Sequence, residues 1–439
     1  MKTLPYFLSA LMLWTASCGK VQHTETSQSP GSINIHGITI PATNVVEILK
    51  LSPLPKLPPN PTNQYADNKS AALLGQHLFF DTRLSANGEV SCATCHQAEA
   101  DWTDQKPVSE GLETVSRNAP TLWNVAYQRW YFWDGRKDAL WSQALGPIEH
   151  PKEMGGSRLR SYLLLQSSED YRNLYNKAFG SLPPLTSESI PKDARPVAEN
   201  LSDQMHQDWQ ALKESDHVVI NEVFSNIGKA MEAYQRQIIS KDAPFDRFVD
   251  SIRNGRKDAS EHLSDGAIRG MVLFTGRGQC ILCHTDSNFT DNEFHNIGLD
   301  RGGRPLDQGR YPAIEQVKND PFNGQGNYSD DTTLESNQAL HYVVPKDNNL
   351  GEFKTPTLRN VANTAPYMHD GRFASLREVL EFYSTLPDTP AIGHREESLQ
   401  PLNLTEEELN DLEAFLNSLT GAPLNERLLK APTIGGNPD

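Results

Sequence analysis

Two short cysteine motifs have the residue types and the spacing needed for covalent attachment of a cofactor. They read Cys92-Ala-Thr-Cys95-His96 and Cys280-Ile-Leu-Cys283-His284. In a C-x-x-C-H motif two thiols lie about one turn apart and a histidine follows, which is the arrangement used for c-type haem attachment. The thiols can form thioether links to the haem vinyl groups, and the histidine can ligate the iron. The sequence therefore predicts two covalently bound haems c, with His96 and His284 as proximal iron ligands.

A zinc site, structural disulfides and a thioredoxin-like dithiol are the alternatives for such cysteine pairs. A zinc site would need all four thiolates together, although the pairs lie 188 residues apart, and it would leave both histidines without a role. Disulfides are compatible with an exported protein, but they too leave the histidines unexplained. Haem attachment accounts for the cysteines and the histidines together and is the preferred interpretation.

A longer repeated segment follows each cysteine motif. Pro120–Arg136 reads PTLWNVAYQRWYFWDGR and Pro356–Arg372 reads PTLRNVANTAPYMHDGR, so ten of 17 aligned positions are identical. One long internal period of this kind predicts duplicated domains. The second copy has 48 more residues between its cysteine motif and its PTL segment, within the polar stretch 300–354. We expect this insertion to cover a surface or to contact a partner.

The rest of the sequence indicates a mainly α-helical protein with long loops. Residues 221–239 and 375–383 place apolar side chains on one helical stripe, and Thr405 opens a capping box whose helix should stop at Gly421. There is no convincing alternating strand pattern. We expect two tandem cytochrome-c-like haem domains related by internal duplication, over residues 66–250 and 251–425, followed by a tail over residues 426–439.

The N-terminus has the parts of a secretory signal. A lysine at position 2, an apolar run over residues 4–14 and small residues before Cys18 are typical of such signals. Cys18 at the cut position resembles a lipoprotein signal, although Thr15 fits that pattern poorly and plain secretion is the alternative. We expect a signal peptide over residues 1–17, a tether over residues 18–65, and a periplasmic protein anchored to a membrane by lipid on Cys18. The net charge of −16 argues against nucleic-acid binding.

Aligning the two copies compares positions that could face the haem irons. The alignment pairs Trp133 with His369 and Pro147 with Tyr383. Proline cannot ligate iron, whereas tyrosine can, so the duplication predicts one haem left open beside Pro147 and one closed by Tyr383. Periodicity alone favours a core tyrosine on the apolar helix face, so both interpretations of Tyr383 stay open at this point.

The chain from residue 71 to residue 419 resembles the di-haem bacterial cytochrome c peroxidase and MauG superfamily. The matching segments are LFFDTRLSANGEVSCATCH, RNAPTLWNVAYQRWYFWDGR, QALGPIEHPKEM, GRGQCILCHTDSNFTDNEFHNIG and FKTPTLRNVANTAPYMHDGRFASLREVLEFY. The resemblance implies that the N-terminal haem is the peroxidatic one and that the C-terminal haem transfers electrons.

The same resemblance implies roles for side chains near the first haem. Trp133 would lie between the haems and relay electrons, while Gln143 and Pro147 would line the peroxide pocket. Glu153 would be the distal acid–base group. The alternative for Glu153 is a solvated carboxylate in the turn that follows His150.

Around the second haem the resemblance implies one further cofactor contact and a calcium site. His369 would lie near the second haem without ligating its iron. A calcium ion between the domains would bind the Asn118 side chain and the carbonyls of Thr364 and Pro366.

Two departures from the conventional peroxidases of this family stand out. Those that need reductive activation carry a distal histidine before the PTL segment, and residues 97–119 contain no histidine. They also carry methionine where this chain has Tyr383, and tyrosine there is the MauG-type choice. A phenolate would stabilise ferric iron and lower its reduction potential. Met368 is a nearby competitor that the alignment does not favour.

These features predict an exported di-haem peroxidase that reduces hydrogen peroxide with electrons from a small c-type cytochrome or a similar donor. The first alternative is a MauG-type enzyme that uses peroxide to oxidise side chains of a partner protein. A plain di-haem electron carrier is a third hypothesis, and Pro147 argues against it. A homodimer is compatible with the sequence.

Overall fold

The computed structural model describes residues 31–331, 333 and 335–433, and these residues are mainly α-helical. The predicted signal peptide and Cys18 lie outside the described residues. In the described part of the chain, the helices in order are α1 (Ala42–Lys50), α2 (Lys69–Phe79), α3 (Cys92–Cys95), α4 (Leu140–Glu149), α5 (Arg158–Ser167), α6 (Glu169–Phe179), α7 (Gln204–Ala211), α8 (Glu214–Gln235), α9 (Pro244–Arg253), α10 (Asp265–Thr275), α11 (Arg310–Asn319), α12 (Ala339–Tyr342), α13 (Leu376–Thr385) and α14 (Glu406–Asn417).

Short strands and 3₁₀ turns make up the rest of the regular structure in the described residues. β1 (Ile33–Ile35) pairs antiparallel with β2 (Ile38–Ile40), and β3 (Phe294–His295) pairs antiparallel with β4 (Phe353–Lys354). The mainly α-helical prediction is confirmed. Among the described helices, none combines the length and the hydropathy needed to cross a bilayer.

The first hydrophobic core forms around α8. Helices α2, α4 and α5 pack directly on it, and Trp141, Tyr162 and Phe224 are almost fully buried there. Burying each such side chain contributes roughly 1.5–3 kcal/mol. Gly75 permits the close approach of α2 to α8, because a Cβ at this position would lie 1.9 Å from the carbonyl oxygen of Ala230.

The second hydrophobic core lies around α10 and α14. Four phenylalanines form its centre with ring centroids 5.1–6.4 Å apart, and they are Phe245, Phe274, Phe289 and Phe415. The two cores are compatible with two domains, whose boundaries at residues 66–250 and 251–425 stay a prediction, as does the duplication of whole domains.

The segment expected to be a polar tether is partly folded. Ile40, Ile48 and Leu51 are buried in the second core, so β1, β2 and α1 belong to that part of the molecule. The apolar residues of these elements are too few for a sequence pattern to reveal, because each strand contributes only three residues. The described end of the expected tail also packs, since Leu428 is buried and its carbonyl accepts a hydrogen bond from the Tyr234 hydroxyl at 2.5 Å.

The predicted helices differ from the observed ones mainly at their ends. α8 begins seven residues before residue 221 and stops at Gln235, four residues before residue 239. The capping box is confirmed, because the Thr405 hydroxyl accepts from the Glu408 amide at 3.3 Å. α14 nevertheless ends at Asn417, before Gly421.

The two repeated segments have the same local conformation. Asn124 and Asn360 both lie in the left-handed region, with φ of 56° and 59°, and each precedes a 3₁₀ turn. Asparagine is among the residues that adopt this region most readily. Both segments then fold back through a short antiparallel bridge, between Tyr131 and Lys137 in the first copy and between Tyr367 and Phe373 in the second.

The insertion at residues 300–354 covers the first repeated segment. The Arg310 guanidinium donates to the carbonyl of Gly135 at 2.6 Å, within the turn at the end of that segment. Asp307 forms an ion pair with Arg117 at 2.8 Å, and Arg117 also pairs with Asp134. The insertion therefore joins the second half of the chain to the first, around Trp133.

Candidate active site

Both motif histidines are held in the orientation that an iron ligand needs. Nδ1 of His96 is hydrogen-bonded to the carbonyl of Trp102 at 3.1 Å, and Nδ1 of His284 to the carbonyl of Phe289 at 3.0 Å. A proton on Nδ1 leaves the Nε2 lone pair for a metal. Burial lowers the pKa of both rings, which favours the neutral form that binds iron.

The four motif cysteines are free thiols in the described structure. Burial is the largest cause raising the pKa of Cys92, Cys95 and Cys280 to about 12. Because all four cysteines are free, no disulfide joins them. The four thiols also do not gather into one zinc site among the described residues. Free thiols, each pair followed by an oriented histidine, fit covalent haem attachment.

A cavity of about 270 Å³ lies beside the second motif. Its apolar wall comes from α10, α13 and α14, including Phe274, Leu380 and Leu412. The cavity brings together many of the predicted site residues, which are Cys280, Cys283, His284, Tyr383, His369, Trp133, Asn118, Thr364 and Pro366. An apolar cavity directly beside the motif cysteines fits a haem c that Cys280, Cys283 and His284 would hold.

Tyr383 lines this cavity from α13. Burial raises the pKa of its phenol, and the thiols of Cys283 and Cys280 add to this shift. No hydrogen bond of its hydroxyl is found within the described residues. Met368 lines the same cavity, so both candidate ligands are close to the second motif and Tyr383 as the ligand stays a prediction.

His369 and Trp133 are neighbours in the wall of the same cavity. The His369 ring stacks on Phe353 with centroids 3.6 Å apart and lies 6.5 Å from the Trp133 ring. Burial lowers the pKa of His369 to about 4, so it is neutral at pH 7. The indole N–H of Trp133 donates to the carbonyl of Asn118 at 2.9 Å, and the Trp133 carbonyl accepts from the Lys354 amide at 2.8 Å. Trp133 of the first copy is thus tied to Lys354, just before the second copy.

The predicted calcium ligands line the same cavity as Trp133. The Asn118 amide nitrogen donates to the carbonyl of Lys106 at 2.7 Å, which orients its side-chain oxygen. Asn118 N–H donates to the His369 carbonyl at 2.8 Å and so ties the two copies together. Thr364 and Pro366 also line the cavity. Their oxygens are of the type that calcium prefers, and calcium binding stays a prediction.

The residues predicted around the first haem lie on α4 and in the turn after it. Gln143 and Pro147 are on α4, and the Pro147 carbonyl accepts from the Met154 amide at 3.2 Å. The Glu153 carboxylate lies close enough to the first motif to add to the burial that raises the pKa of Cys92 and Cys95. This placement favours Glu153 as a group of the first haem site.

Sequence reasoning missed the contacts that hold Glu153. Nδ1 of His150 lies 3.3 Å from its carboxylate oxygen. Gly111 lies directly against the Glu153 backbone, because a Cβ at Gly111 would lie 2.4 Å from the Glu153 carbonyl oxygen. The adjacent Leu112 amide donates to that same oxygen at 2.9 Å. The contact with Gly111 joins residues far apart in sequence, so no local pattern could have shown it.

Comparison with known proteins agrees with this description. The family model described as di-haem cytochrome c peroxidase matches residues 69–254. The methylamine utilization protein MauG of Methylorubrum extorquens is 31% identical over 364 residues, which cover 82% of this chain and 80% of that protein. The cytochrome-c peroxidase IdrP1 of Pseudomonas sp. strain SCT is 30% identical over 405 residues, which cover 91% of this chain and 92% of that protein. A crystal structure of a MauG-like protein associated with microbial copper homeostasis is 27% identical, with a TM-score of 0.57 over 86% of this chain and 97% of that one.

This chain belongs to the di-haem cytochrome c peroxidase and MauG family. The predicted membership is confirmed, and with it the general class of di-haem peroxidase oxidoreductases and the presence of two haems c as cofactors. The relatives carry both names, so the family alone does not distinguish a cytochrome c peroxidase from a MauG-type enzyme.

Proposed function

We propose that this protein is an exported, periplasmic peroxidase that reduces hydrogen peroxide to water with electrons from a small c-type cytochrome or a similar donor. The observation that carries the proposal is the asymmetry of the two sites. Tyr383 offers a partly buried phenol in the cavity beside the second motif, whereas the aligned position near the first motif is Pro147, whose side chain has no ligating atom. A haem c held by His96 alone would suit peroxide reduction, and one held by both His284 and Tyr383 would suit electron transfer.

The site residues have separate tasks in this reaction. Cys92, Cys95 and His96 would hold a haem c, whose iron would supply the redox chemistry that peroxide reduction needs. Glu153 takes a proton from one peroxide oxygen and delivers it to the other, so that the O–O bond breaks with release of water. The overall reaction consumes two protons and two electrons and yields two water molecules. Gln143 and Pro147 shape the pocket, and the Leu112 amide holds the backbone of Glu153 in place.

Electrons would reach the first site through the residues between the copies. Trp133 is fixed at both its indole nitrogen and its carbonyl, and His369 lies 6.5 Å from its ring. We infer that Trp133 relays electrons from the domain at residues 251–425 to the domain at residues 66–250. Calcium bound by Asn118, Thr364 and Pro366 would hold the two segments on either side of Trp133.

The location and assembly are part of the same proposal. The signal at residues 1–17 would direct export, and lipid on Cys18 would anchor the mature protein to a membrane. The donor would then approach on the periplasmic side. A homodimer is compatible with this arrangement.

A second candidate is a MauG-type enzyme that oxidises side chains of a partner protein. Two observations favour it: Tyr383 stands at the methionine position, and residues 97–119 contain no histidine that could close the first iron. Such an enzyme would use the same peroxide chemistry, with a bound protein in place of the cytochrome as the source of electrons.

The test is peroxide-dependent oxidation of a reduced small c-type cytochrome by the purified holoprotein. Glu153→Gln should lower kcat about 10²- to 10⁴-fold, because a positioned acid–base group contributes that much. Glu113→Gln is the matched control, since Glu113 lies in the adjoining loop with a side chain that is 66% exposed. Equal rates for Glu153→Gln and Glu113→Gln would contradict the role of Glu153. Peroxide consumption that depends on an added protein and not on the cytochrome would favour the MauG-type alternative.

A further inference from the structure

Lys354 is a buried cation without a partner in the cavity beside the second haem motif. It lies on β4, is 7% exposed and lines the cavity together with Trp133 and His284. Its ammonium group has no hydrogen bond or ion pair with any residue that the structure describes. Burial lowers the pKa of Lys354 to about 8. An isolated ammonium in such surroundings costs several kcal/mol unless an anion accompanies it.

The carboxylates nearby are already engaged. Glu396 is the only acidic residue among the described residues of the cavity wall, and it accepts from Nδ1 of His295 at 3.0 Å. Asp291 does not line the cavity, but its negative charge raises the pKa of Lys354. Its carboxylate is hydrogen-bonded to Nε2 of the same histidine at 2.8 Å. The described residues therefore supply no free anion for Lys354.

The aligned position in the first copy carries no cation. Lys354 lies two residues before Pro356, as Asn118 lies two residues before Pro120. The Asn118 amide is satisfied by the Lys106 carbonyl at 2.7 Å, whereas Lys354 lines the cavity and its ammonium has no partner among the described residues. In the described structure, Lys354 is also the only lysine or arginine of the cavity wall.

We propose that Lys354 binds a carboxylate inside this cavity, and that the carboxylate is a propionate of the haem attached to Cys280 and Cys283. This inference rests on the two haems c of the family. A haem c carries two propionates, and they are the anions that would enter the cavity with the macrocycle. The Lys354 amide also bonds the Trp133 carbonyl at 2.8 Å, so the pair would lie next to the proposed electron relay.

The pair has a measurable consequence for the second haem. A fixed positive charge near the porphyrin disfavours the additional positive charge of ferric iron, so it raises the reduction potential. Removing that charge should make the second haem harder to reduce. The first haem should be affected less, because the cavity that Lys354 lines belongs to the second motif.

The experiment is a potentiometric titration of the purified holoprotein, followed at wavelengths that separate the two haems. In Lys354→Met the ratio of ferrous to ferric second haem at a fixed solution potential should fall about tenfold, which corresponds to about 59 mV for one electron. Lys354→Arg should keep the wild-type potential, because it keeps the charge. Lys346→Met is the control, an exposed lysine of the same insertion. If Lys354→Met yields no holoprotein, Lys354→Gln repeats the measurement.

Two results would overturn the proposal. The first is a second-haem ratio in Lys354→Met within twofold of wild type, at full haem content. The second is a wild-type potential that shifts when acetate or formate is added or removed, since this would mean that the bound carboxylate comes from solution. The titration reports on the haem alone, so its outcome does not depend on whether the enzyme reduces peroxide.

Discussion

Gly111→Ala should displace the proposed acid–base group without changing any functional side chain. The added Cβ would lie 2.4 Å from the carbonyl oxygen of Glu153 and 2.7 Å from its Cα. Both are backbone atoms, so no side-chain rotation can relieve the clash. Restoring ordinary contact requires the two backbones to separate by about 1 Å, and the hydrogen bond from Leu112 to Glu153 would lengthen with them.

The expected effects follow from that displacement. A misplacement of about 1 Å costs about 10²-fold in rate, and overpacking costs about 1–3 kcal/mol of the free energy of unfolding. The assays are the rate of peroxide consumption by the oxidised holoprotein in stopped flow and its thermal unfolding. Gly31→Ala is the control, because no described residue lies within 4 Å of a Cβ at that position.

The peroxide rate and the Tm together distinguish a displaced acid–base group from a loss of stability alone. A fall in Tm with an unchanged peroxide rate would refute the assignment of Glu153 as the acid–base group, since its backbone would have moved without consequence. A slower reaction at full haem content, with the spectrum of the second haem unchanged, is the result that the placement of Glu153 predicts.

Three further predictions concern the second half of the chain. Tyr383→Met should raise the reduction potential of the second haem, because a thioether favours ferrous iron; an unmoved potential and spectrum would show that Tyr383 is not a ligand. Burial lowers the pKa of folded His369 to about 4, so the unfolded chain takes up a proton at a higher pH than the folded protein does. The free energy of unfolding should therefore be greatest above about pH 6.5, and about 3 kcal/mol of it should be lost as the pH falls towards 4. His369→Gln should therefore flatten the pH dependence of urea unfolding between pH 4.5 and 7.5, and an unchanged slope would contradict this. Asp307→Asn should lower the free energy of unfolding by about 1.5–3 kcal/mol, because it removes one of the two charged partners of Arg117. The exposed control Asp347→Asn should leave the urea midpoint unchanged. Equal midpoints for the two variants would mean that the insertion does not clamp the first segment.

Local patterns in the sequence predicted the helical part of the fold well. The apolar stripe of α8 and the capping box at Thr405 depend on residues three or four positions apart, and such spacing is visible in one sequence. The same patterns failed for residues 33–51, because three-residue strands present too few apolar positions. Their burial depends on contacts with Phe248 and other residues some two hundred positions away.

In the candidate site, too, local motifs could be predicted and contacts between distant segments could not. The cysteine motifs and their histidines are contiguous in sequence, so attachment of two haems could be predicted directly. The partners that orient these groups could not, because they come from distant segments. Gly111 against Glu153 and Lys354 beside Trp133 are examples, since each is an ordinary loop or strand residue until the chain is folded.

The measurement that tests the central claim most directly is the reaction of fully oxidised holoprotein with one equivalent of hydrogen peroxide, without reductant, followed by rapid-scanning haem spectroscopy. An iron left open beside Pro147 and a second iron held by Tyr383 predict a prompt spectral change that involves both haems and persists until an electron donor is added. No reaction until one haem has been reduced in advance would mean that a ligand closes the first iron at rest, and this would contradict the asymmetry on which the proposed function depends.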